Sequence, residues 1–300
     1  MKSAIEVTKL TKVYPGSKIP AVDSLSFSIA KGEVYGFLGS NGAGKSTTIR
    51  LLMDFIRPTN GSASILGKDS IKDSVEIRNN VGYLAGDVAL PRKVTGRQLF
   101  EYLGRLNGGV DTKYLATLEN RFQAELDKRT ETLSKGNRQK IGVIQAFMHQ
   151  PKVLILDEPT SGLDPLMQEQ FYRTVEEAKA QGTAVFLSSH SFAEVERICD
   201  RIGIIREGKL VHEGPIANMM EHRLPTWRIV LPKASDIEVL ESSKSLEVIE
   251  KLKDTAVIRP VKAISPALLA MSKVDIISMT VEQEELEDEF MSFYNEESTK

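Results

Sequence analysis

The most constraining feature of the chain is a glycine-rich run that follows a short apolar strand pattern and precedes a helical pattern. The run consists of Gly39, Ser40, Asn41, Gly42, Ala43, Gly44, Lys45, Ser46 and Thr47. Its spacing is that of a phosphate-binding loop, in which glycines let backbone N–H groups turn onto phosphate oxygens. Lys45 then reaches the β- and γ-phosphates, and Ser46 can ligate Mg²⁺. The run predicts a nucleoside triphosphate site, and the alternative of a purely structural turn is disfavoured by the flanking strand and helix patterns.

A second run places two acids after four apolar residues, Val153–Leu156. This is typical of a buried strand that delivers carboxylates to its C-terminal end, where ligands bind in α/β sheets. We expect Asp157 to hold Mg²⁺, directly or through water, and Glu158 to act as the general base on the attacking water. The alternative, two solvated acids at a strand end, is disfavoured by the phosphate loop upstream.

The composition limits the class of protein. With 300 residues, 41% hydrophobic and 27% charged, the chain is long enough for about two domains with ordinary cores. A net charge of -2 gives no overall positive field for nucleic acid, although a local basic patch stays open. We expect no signal peptide, because the N-terminus lacks an apolar core, and no membrane helix, because no stretch approaches ~20 apolar residues. The single cysteine, Cys199, is interpreted as a packing residue.

Strand and helix patterns alternate along most of the chain. Strand patterns lie within residues 4–30 and at 34–38, 153–156, 184–187, 201–205, 227–231, 255–258 and 275–280, and helical patterns at 47–55, 95–106, 112–119, 137–149, 166–180, 237–240 and 266–271. Alternating buried strands and helices are typical of an α/β sheet. Residues 71–150 are more polar and are predicted to form a helical insertion. We predict one domain over 1–222 and a small α/β domain over 223–300.

A third run, residues 133–139, places a serine and a glycine at the start of a predicted helix. There a hydroxyl, backbone amides and the helix dipole face an anion. With the two earlier motifs in the same order, residues 4–220 resemble the nucleotide-binding subunit of an ABC transporter. The resemblance implies ATP as the nucleotide and a P-loop ABC ATPase fold, with a mixed sheet, an N-terminal antiparallel β subdomain and a helical subdomain. It also implies that Ser134, Gly136 and Asn137 complete an ATP site held by a second copy of the chain.

Three further positions match the family. Tyr14, which lies 31 residues before Lys45, stands where the family has an aromatic that stacks on adenine. Asp164 stands in the loop that crosses the family's dimer interface, and because a proline follows it, it is also a plausible helix cap. His190 ends a buried strand pattern 32 residues after Glu158, where the family's histidine contacts the γ-phosphate.

The chain departs from the family at two places. Lys135 and Asn137 replace a glycine and a glutamine of the usual third run; the lysine adds positive charge, and the asparagine keeps an amide. Gly86 stands where the family usually has a glutamine that senses Mg²⁺ beside the membrane partner. A glycine cannot take that role, so either Asp87 replaces it or water mediates the contact. The overall pattern resembles the branch that serves drug, antibiotic and peptide exporters.

The resemblance implies an ATPase with Lys45, Glu158 and His190 as its catalytic residues. Two copies would close head to tail on two ATP molecules and drive a separate transmembrane subunit. The chain would then be cytoplasmic, held at the inner face of the cell membrane by that subunit, with no nucleic-acid partner. Two alternatives stay open: a soluble ABC-type ATPase acting on ribosomes or nucleic acid, and a nucleotide-sensing regulatory subunit.

An acidic run near the C-terminus has two interpretations. It comprises Glu282, Glu284, Glu285, Glu287 and Glu289, interleaved with or followed by the apolar residues Leu286, Phe290 and Phe293. One interpretation is an amphipathic terminal helix with a solvated acidic face. The other is that residues 223–300 pair with a second copy or with a regulator and stabilise a dimer.

Overall fold

The structure, a computed structural model, describes residues 3–217 and 224–282 of the chain. The chain divides into two compact units, Met1–Ile216 and Ala217–Lys300. The expected domain boundary at residue 222 and the acidic run beyond Glu282 lie outside the described residues. None of the described helices combines the length and apolar character that crossing a membrane requires.

The first unit alternates strands and helices. Its strands are β1 (Ser3–Lys12), β2 (Val22–Ala30), β3 (Val34–Leu38), β4 (Asn60–Ile65), β5 (Lys68–Asp69), β6 (Val81–Leu84), β7 (Val153–Asp157), β8 (Ala184–Ser189), β9 (Arg201–Arg206) and β10 (Lys209–Pro215). Its α-helices are α1 (Lys45–Leu52), α2 (Ser74–Arg78), α3 (Gly96–Leu106), α4 (Thr112–Phe122), α5 (Lys135–Phe147), α6 (Pro165–Ala180) and α7 (Phe192–Ile198).

The larger sheet of this unit is mixed, with the strand order β10-β9-β3-β8-β7-β6. The pairs from β9 to β6 are parallel, whereas β10 runs antiparallel to β9. Every residue of β3, β7 and β8 is buried. Strands that are covered on both faces consist of continuous apolar residues, which are easy to recognise in a sequence. The sequence patterns therefore predicted β3, β7 and β8.

The smaller sheet is antiparallel, with the order β2-β1-β4-β5. β2 alternates buried and exposed residues, as expected of a sheet with one face on the core. A cluster of aromatic rings links it to the larger sheet, with centroid distances of 5.3 to 6.2 Å among Phe27, Tyr35, Phe37 and Phe186. The mixed sheet and the N-terminal antiparallel β subdomain expected from the sequence are therefore present.

Several elements differ from the sequence patterns, and strands β4, β5 and β10 and helix α7 have no counterpart among those patterns. The helix expected at residues 47–55 begins earlier, at Lys45, and ends at Leu52, because a turn through Asp54 with φ of 56° stops it. Within the stretch expected to be a helical insertion, residues 81–84 form β6 and pair with β7 in the larger sheet. A run of four residues is too short for its periodicity to separate strand from helix.

The second unit has an antiparallel sheet with the strand order β12-β13-β11-β14. Its elements are β11 (Thr226–Val230), α8 (Asp236–Glu241), β12 (Leu246–Leu252), β13 (Thr255–Pro260), α9 (Ile264–Met271) and β14 (Ser278–Glu282). Trp227, Ile229 and Ile258 from the sheet form a core with Leu240 and Ala267 from the helices. The sequence patterns missed β12, and they placed the start of the last strand three residues too early, at 275 instead of 278.

Helix α4 is held to helix α6 by a partly buried cation. Arg121, with a side chain 10% exposed, donates from Nη1 to Thr174 at 2.8 Å and makes a two-pronged contact with Glu177 at 2.8 and 3.0 Å. This hydrogen bonding lowers the pKa of Glu177. Arg173 reaches the same carboxylate at 3.1 Å, but its own side chain is 67% exposed. One glutamate thus binds one shielded and one solvated arginine.

This pair of arginines gives a matched test of the link between the two helices. We expect Arg121→Met to lower the free energy of unfolding by about 1–3 kcal/mol, because charge-assisted hydrogen bonds are lost from a shielded site. Arg173→Met should cost about 0.5 kcal/mol or less, as exposed pairs spaced i,i+4 do. Urea unfolding followed by circular dichroism measures both, and equal losses would contradict this assignment.

The same contact predicts a pH dependence. Because the pKa of Glu177 is lowered in the folded chain, its contribution is present at neutral pH and is lost as the pH falls through that lowered pKa. The acid-side loss of stability should therefore be smaller in Arg121→Met than in the unmodified chain. Unfolding curves recorded at several acidic pH values measure this difference.

Candidate nucleotide site

The glycine-rich loop joins the C-terminal end of β3 to the first turn of α1, as the sequence predicted. Gly44 caps α1 with φ of 116°, and a Cβ atom there would meet the carbonyl oxygen of Ala21 at 2.6 Å. At Gly39 a Cβ would lie 2.6 Å from the carbonyl oxygen of Ile205. Gly42 also has positive φ, 83°, but with open space around it. Two glycines are thus required by close packing and one by backbone conformation alone.

Lys45 is folded back over the loop. Its side chain is only 5% exposed, and Nζ donates to the carbonyl oxygens of Gly39 at 2.6 Å and Ser40 at 3.2 Å. Nζ also lies 3.3 Å from Oε1 of Glu158. Beside the ammonium group is a cavity of about 150 Å³, lined by Ala21, Ser40, Asn41, Gly42, Gly44, Lys45, Ser46, Thr47 and Glu158. The loop and the acid after β7 therefore face one space.

Glu158 joins the lysine to the histidine predicted from the sequence. Its Oε2 lies 2.6 Å from Nδ1 of His190, while Oε1 is on Lys45. Its backbone has φ of 48°, and its N–H donates to the carbonyl oxygen of Ser188 at 3.1 Å. A left-handed conformation is uncommon for a residue with a side chain and is found at functional sites. This turn at the end of β7 aims the carboxylate at both partners.

Asp157 is buried next to this cluster, with 7% of its surface exposed. Ser188 Oγ donates to its Oδ1 at 2.5 Å. A Cβ on Gly86 would lie 3.4 Å from its Oδ2, so this oxygen faces the backbone of a residue without a side chain. One buried carboxylate with a serine hydroxyl and nucleotide phosphates is the usual donor set for Mg²⁺ in such sites. Asp157 and Ser46 fit that set.

Asp87, which the sequence suggested as a replacement for the family's glutamine, is exposed. Gly86, by contrast, is partly buried and lies against the carboxylate of Asp157. The position next to Asp157 is therefore that of Gly86.

The run at residues 133–139 begins helix α5, with Ser134 as its N-cap accepting from the N–H of Asn137 at 3.2 Å. Asn137 Nδ2 donates to Oε2 of Glu125 at 3.0 Å, and its Oδ1 accepts from the N–H of Glu125 at 3.2 Å. Within the chain this amide is thus bound to the loop after α4. A Cβ on Gly136 would lie 3.0 Å from the carbonyl oxygen of Gly162. The start of α5 therefore packs on the loop before α6.

A second link connects α5 with the acid-bearing turn. Gln139, which is 2% exposed, donates from Nε2 to the carbonyl oxygen of Pro159 at 2.8 Å. Pro159 follows Glu158 directly. The sequence patterns gave this glutamine no role, because nothing local indicates that its partner lies 20 residues away.

The remaining predicted positions have clear local roles. Asp164 is the N-cap of α6, accepting from the N–H of Met167 at 3.0 Å, with a proline in the first turn. Tyr14 is partly buried, and Nζ of Lys12 lies 5.4 Å from its ring centroid. Cys199 is buried, and burial raises its pKa, so it is held as a packing thiol as expected.

Comparison with known proteins agrees with these motifs. The model of the ABC transporter family matches residues 22–161. The bacitracin transport ATP-binding protein BcrA of Bacillus licheniformis is 32% identical over 97% of this chain and 97% of its own length. A solved structure described as the ATP-binding subunit of an ABC transporter has a TM-score of 0.68 at 29% identity, covering 73% of this chain and 92% of the other. A dimeric post-hydrolysis structure of the cassette MJ0796 with ADP and Pi has a TM-score of 0.65 at 20% identity, covering 71% and 98%.

The chain therefore belongs to the ABC transporter family, as an ATP-binding protein with the ABC ATPase fold. The resemblance drawn from the three sequence runs is confirmed.

The glycines of the loop allow a matched pair of substitutions. Gly44→Ala should weaken ATP binding at least about tenfold, because its Cβ would push the loop away from Ala21. Gly42→Ala faces open space, so its left-handed backbone strain of ~1–2 kcal/mol should lower the free energy of unfolding, and the affinity for ATP should fall by less than about tenfold. Titration with a fluorescent ATP analogue measures affinity, and thermal unfolding checks the fold. Equal affinities of the two variants would show that close packing at Gly44 does not shape the loop.

Proposed function

We propose that the chain hydrolyses ATP at the site formed by the glycine-rich loop, Asp157, Glu158 and His190. The observation that carries this proposal is the row of contacts from Lys45 through Glu158 to His190, at distances of 3.3 and 2.6 Å. Lys45 neutralises the β- and γ-phosphates, and Glu158 accepts the proton of the attacking water. His190 shares a hydrogen bond with that carboxylate and contacts the γ-phosphate. When ATP is bound, Lys45 exchanges its contact with the acid for phosphate oxygens.

Mg²⁺ is part of the same proposal. Ser46 and Asp157 would hold the ion, which neutralises charge on the phosphate oxygens. Ser188 orients Asp157 by donating to Oδ1, and Oδ2 faces the backbone of Gly86. Ser188 is therefore the residue that sets the orientation of the metal-binding carboxylate.

We further propose that two copies act together. The hydroxyl of Ser134 and the first amides of α5 lie at an exposed helix start, where they suit the phosphates of a nucleotide held by the second copy. Gly136 and Asp164 would lie at the same interface, and Tyr14 would stack on adenine. Asn137 would act mainly by fixing this helix start, since its amide is bound to Glu125. MJ0796, which shares the fold, is described as dimeric with ADP and Pi, and this supports the pairing.

The transport role follows from the family. We propose that the chain powers a separate transmembrane subunit and is held by it at the cytoplasmic face of the membrane. Export is the proposed direction, because BcrA, similar over nearly its whole length, is named for bacitracin transport. The domains would be 1–222 for ATP and 223–300 as an accessory domain.

Glu158→Gln tests the hydrolytic and the paired-site parts together. The amide keeps the shape but accepts no proton, so ATP turnover should fall at least about a hundredfold. With ATP and Mg²⁺ the variant should elute as a dimer in size-exclusion chromatography. Glu101→Gln on α3, where the carboxylate is 61% exposed, is the matched control and should change neither result.

Each measurement has a contrary result. Undiminished turnover in Glu158→Gln would remove the general-base role. A variant that stays monomeric with ATP and Mg²⁺ would contradict the paired site. An unmodified chain that binds ATP without turning it over would instead support the regulatory alternative.

A further inference from the structure

His190 is presented by a short turn between β8 and α7 that is tied together by side chains. Ser189 ends β8, and Ser191 is the N-cap of α7. The N–H of Ser191 donates to Ser189 Oγ at 2.9 Å, and this oxygen also lies 2.5 Å from Oε2 of Glu194. Ser189 Oγ is therefore the point where the turn is joined to helix α7. Glu194, in the first turn of that helix, supplies the second anchor.

The side chain of His190 depends on this turn for its position. It is 61% exposed and lies 2.6 Å from Glu158 through Nδ1. An exposed ring is not held by surrounding packing, so its approach to Glu158 is set by the backbone on either side of it. A shift of about 1 Å in such a group can cost about a hundredfold in rate.

Glu194 is an unusual anchor because it is a buried acid. It is 4% exposed, and Ser189 is 1% exposed. Its second oxygen, Oε1, is buried and makes no hydrogen bond of ordinary geometry among the described residues, although the Thr160 hydroxyl lies close enough to the carboxyl group to lower its pKa. Burial raises the pKa of this carboxyl group more than its contacts with Ser189 and Thr160 lower it. Burying a neutral carboxylic acid at this position costs less free energy than burying a charged carboxylate.

The neutral form also satisfies the turn better. A protonated Oε2 donates to Ser189 Oγ, which still accepts from the N–H of Ser191. The hydroxyl hydrogen of Ser189 is then available to the carbonyl oxygen of Ser191, 3.3 Å away. The hydroxyl group of Ser189 then donates one hydrogen bond and accepts two, and the residues on both sides of His190 are fixed.

We propose that Glu194 is a positioning residue for ATP hydrolysis, which braces Ser189 and so holds His190 against Glu158. This inference rests on the proposed role of His190. Glu194 touches neither nucleotide nor water in this role and acts only through the turn. A cavity of about 520 Å³, lined in part by Glu158, His190 and Glu194, adjoins the turn, so truncation of Glu194 would free the helix start as well as remove the hydrogen bond.

The test compares substitutions of similar size. Glu194→Gln keeps a neutral hydrogen-bonding group, so kcat should stay within about threefold of the unmodified chain. Glu194→Met fills the space without a hydrogen bond, so kcat should fall about 10- to 100-fold. The KM for ATP should change less than about threefold in both, because the glycine-rich loop is intact. Glu196→Met, at an exposed position of the same helix, is the control and should leave kcat unchanged.

His190→Ala, measured in parallel, separates the two levels of the proposal. If His190→Ala keeps full turnover, the role of His190 is wrong and this inference falls with it. If His190→Ala is inactive while Glu194→Met turns over normally, this inference alone is overturned. A folded Glu194→Gln as slow as Glu194→Met would also overturn it, since the amide should replace the neutral acid.

Ser189→Ala covers the case in which Glu194→Met fails to fold. It removes the oxygen that Glu194 braces and leaves the acid in place. It should lower kcat in the same direction with the KM for ATP little changed, and a normal kcat in this variant would contradict the proposal. Thermal unfolding of each variant confirms that the comparison is between folded chains.

Discussion

The parallel pairing of β3, β8 and β7 is the constraint on which the site depends. The register sets Leu38 beside Ser189 and Asp157 beside Ser188, so the three strands end at one edge of the sheet. The loops that leave this edge are bonded to the neighbouring strand: Gly39 N–H donates to the carbonyl oxygen of Ser189 at 3.2 Å. A slip of one residue would turn every side chain of a strand to its opposite face. The site is therefore a consequence of strand register. The distances between its side chains are fixed by the pairing of the strands that carry them.

Local patterns identified those parts of the site that lie within a few residues of each other. The glycine-rich loop needs its glycines, lysine and flanking elements in one stretch, and the acids directly follow their strand, so both were predictable. Gln139 was not, because its partner lies 20 residues away and only the fold brings the two together. Glu194 lies five residues from Ser189, but no sequence pattern showed that its carboxyl group is buried against that serine. The contact between Arg121 and Glu177 joins residues 56 positions apart, and the hydrophobic pattern does not predict it. Short strands such as β6 were not predicted for a different reason: four residues are too few to show whether the period is that of a strand or a helix.

Helix α5 is linked both to the loop before α6 and to the turn that carries Glu158. Its first turn packs on the loop before α6 through Gly136, and Gln139 donates to the residue after Glu158 at 2.8 Å. In the proposed pair of copies, the helix start that would face the second nucleotide is thus bonded to the turn that carries the proposed general base for the first. Asn137 is bound to Glu125 and takes no part in this connection. The replacement of glutamine by asparagine therefore changes how α5 is attached to its own subdomain more than what it offers to a partner.

The glycine at position 86 can be understood from the same geometry. The Cβ atom of a side chain there would lie 3.4 Å from Oδ2 of Asp157, whereas Ser188 donates to the other oxygen, Oδ1. Mg²⁺ keeps several water ligands and is often held by a single carboxylate with substrate phosphates. A water molecule in the space of the missing side chain can therefore supply a ligand without a protein amide. What the glycine removes is a side chain that would tie the metal to the loop after β6. On this argument the proposed Mg²⁺ site would be retained, and the step of the family's mechanism that would differ is the signal from the metal to that loop.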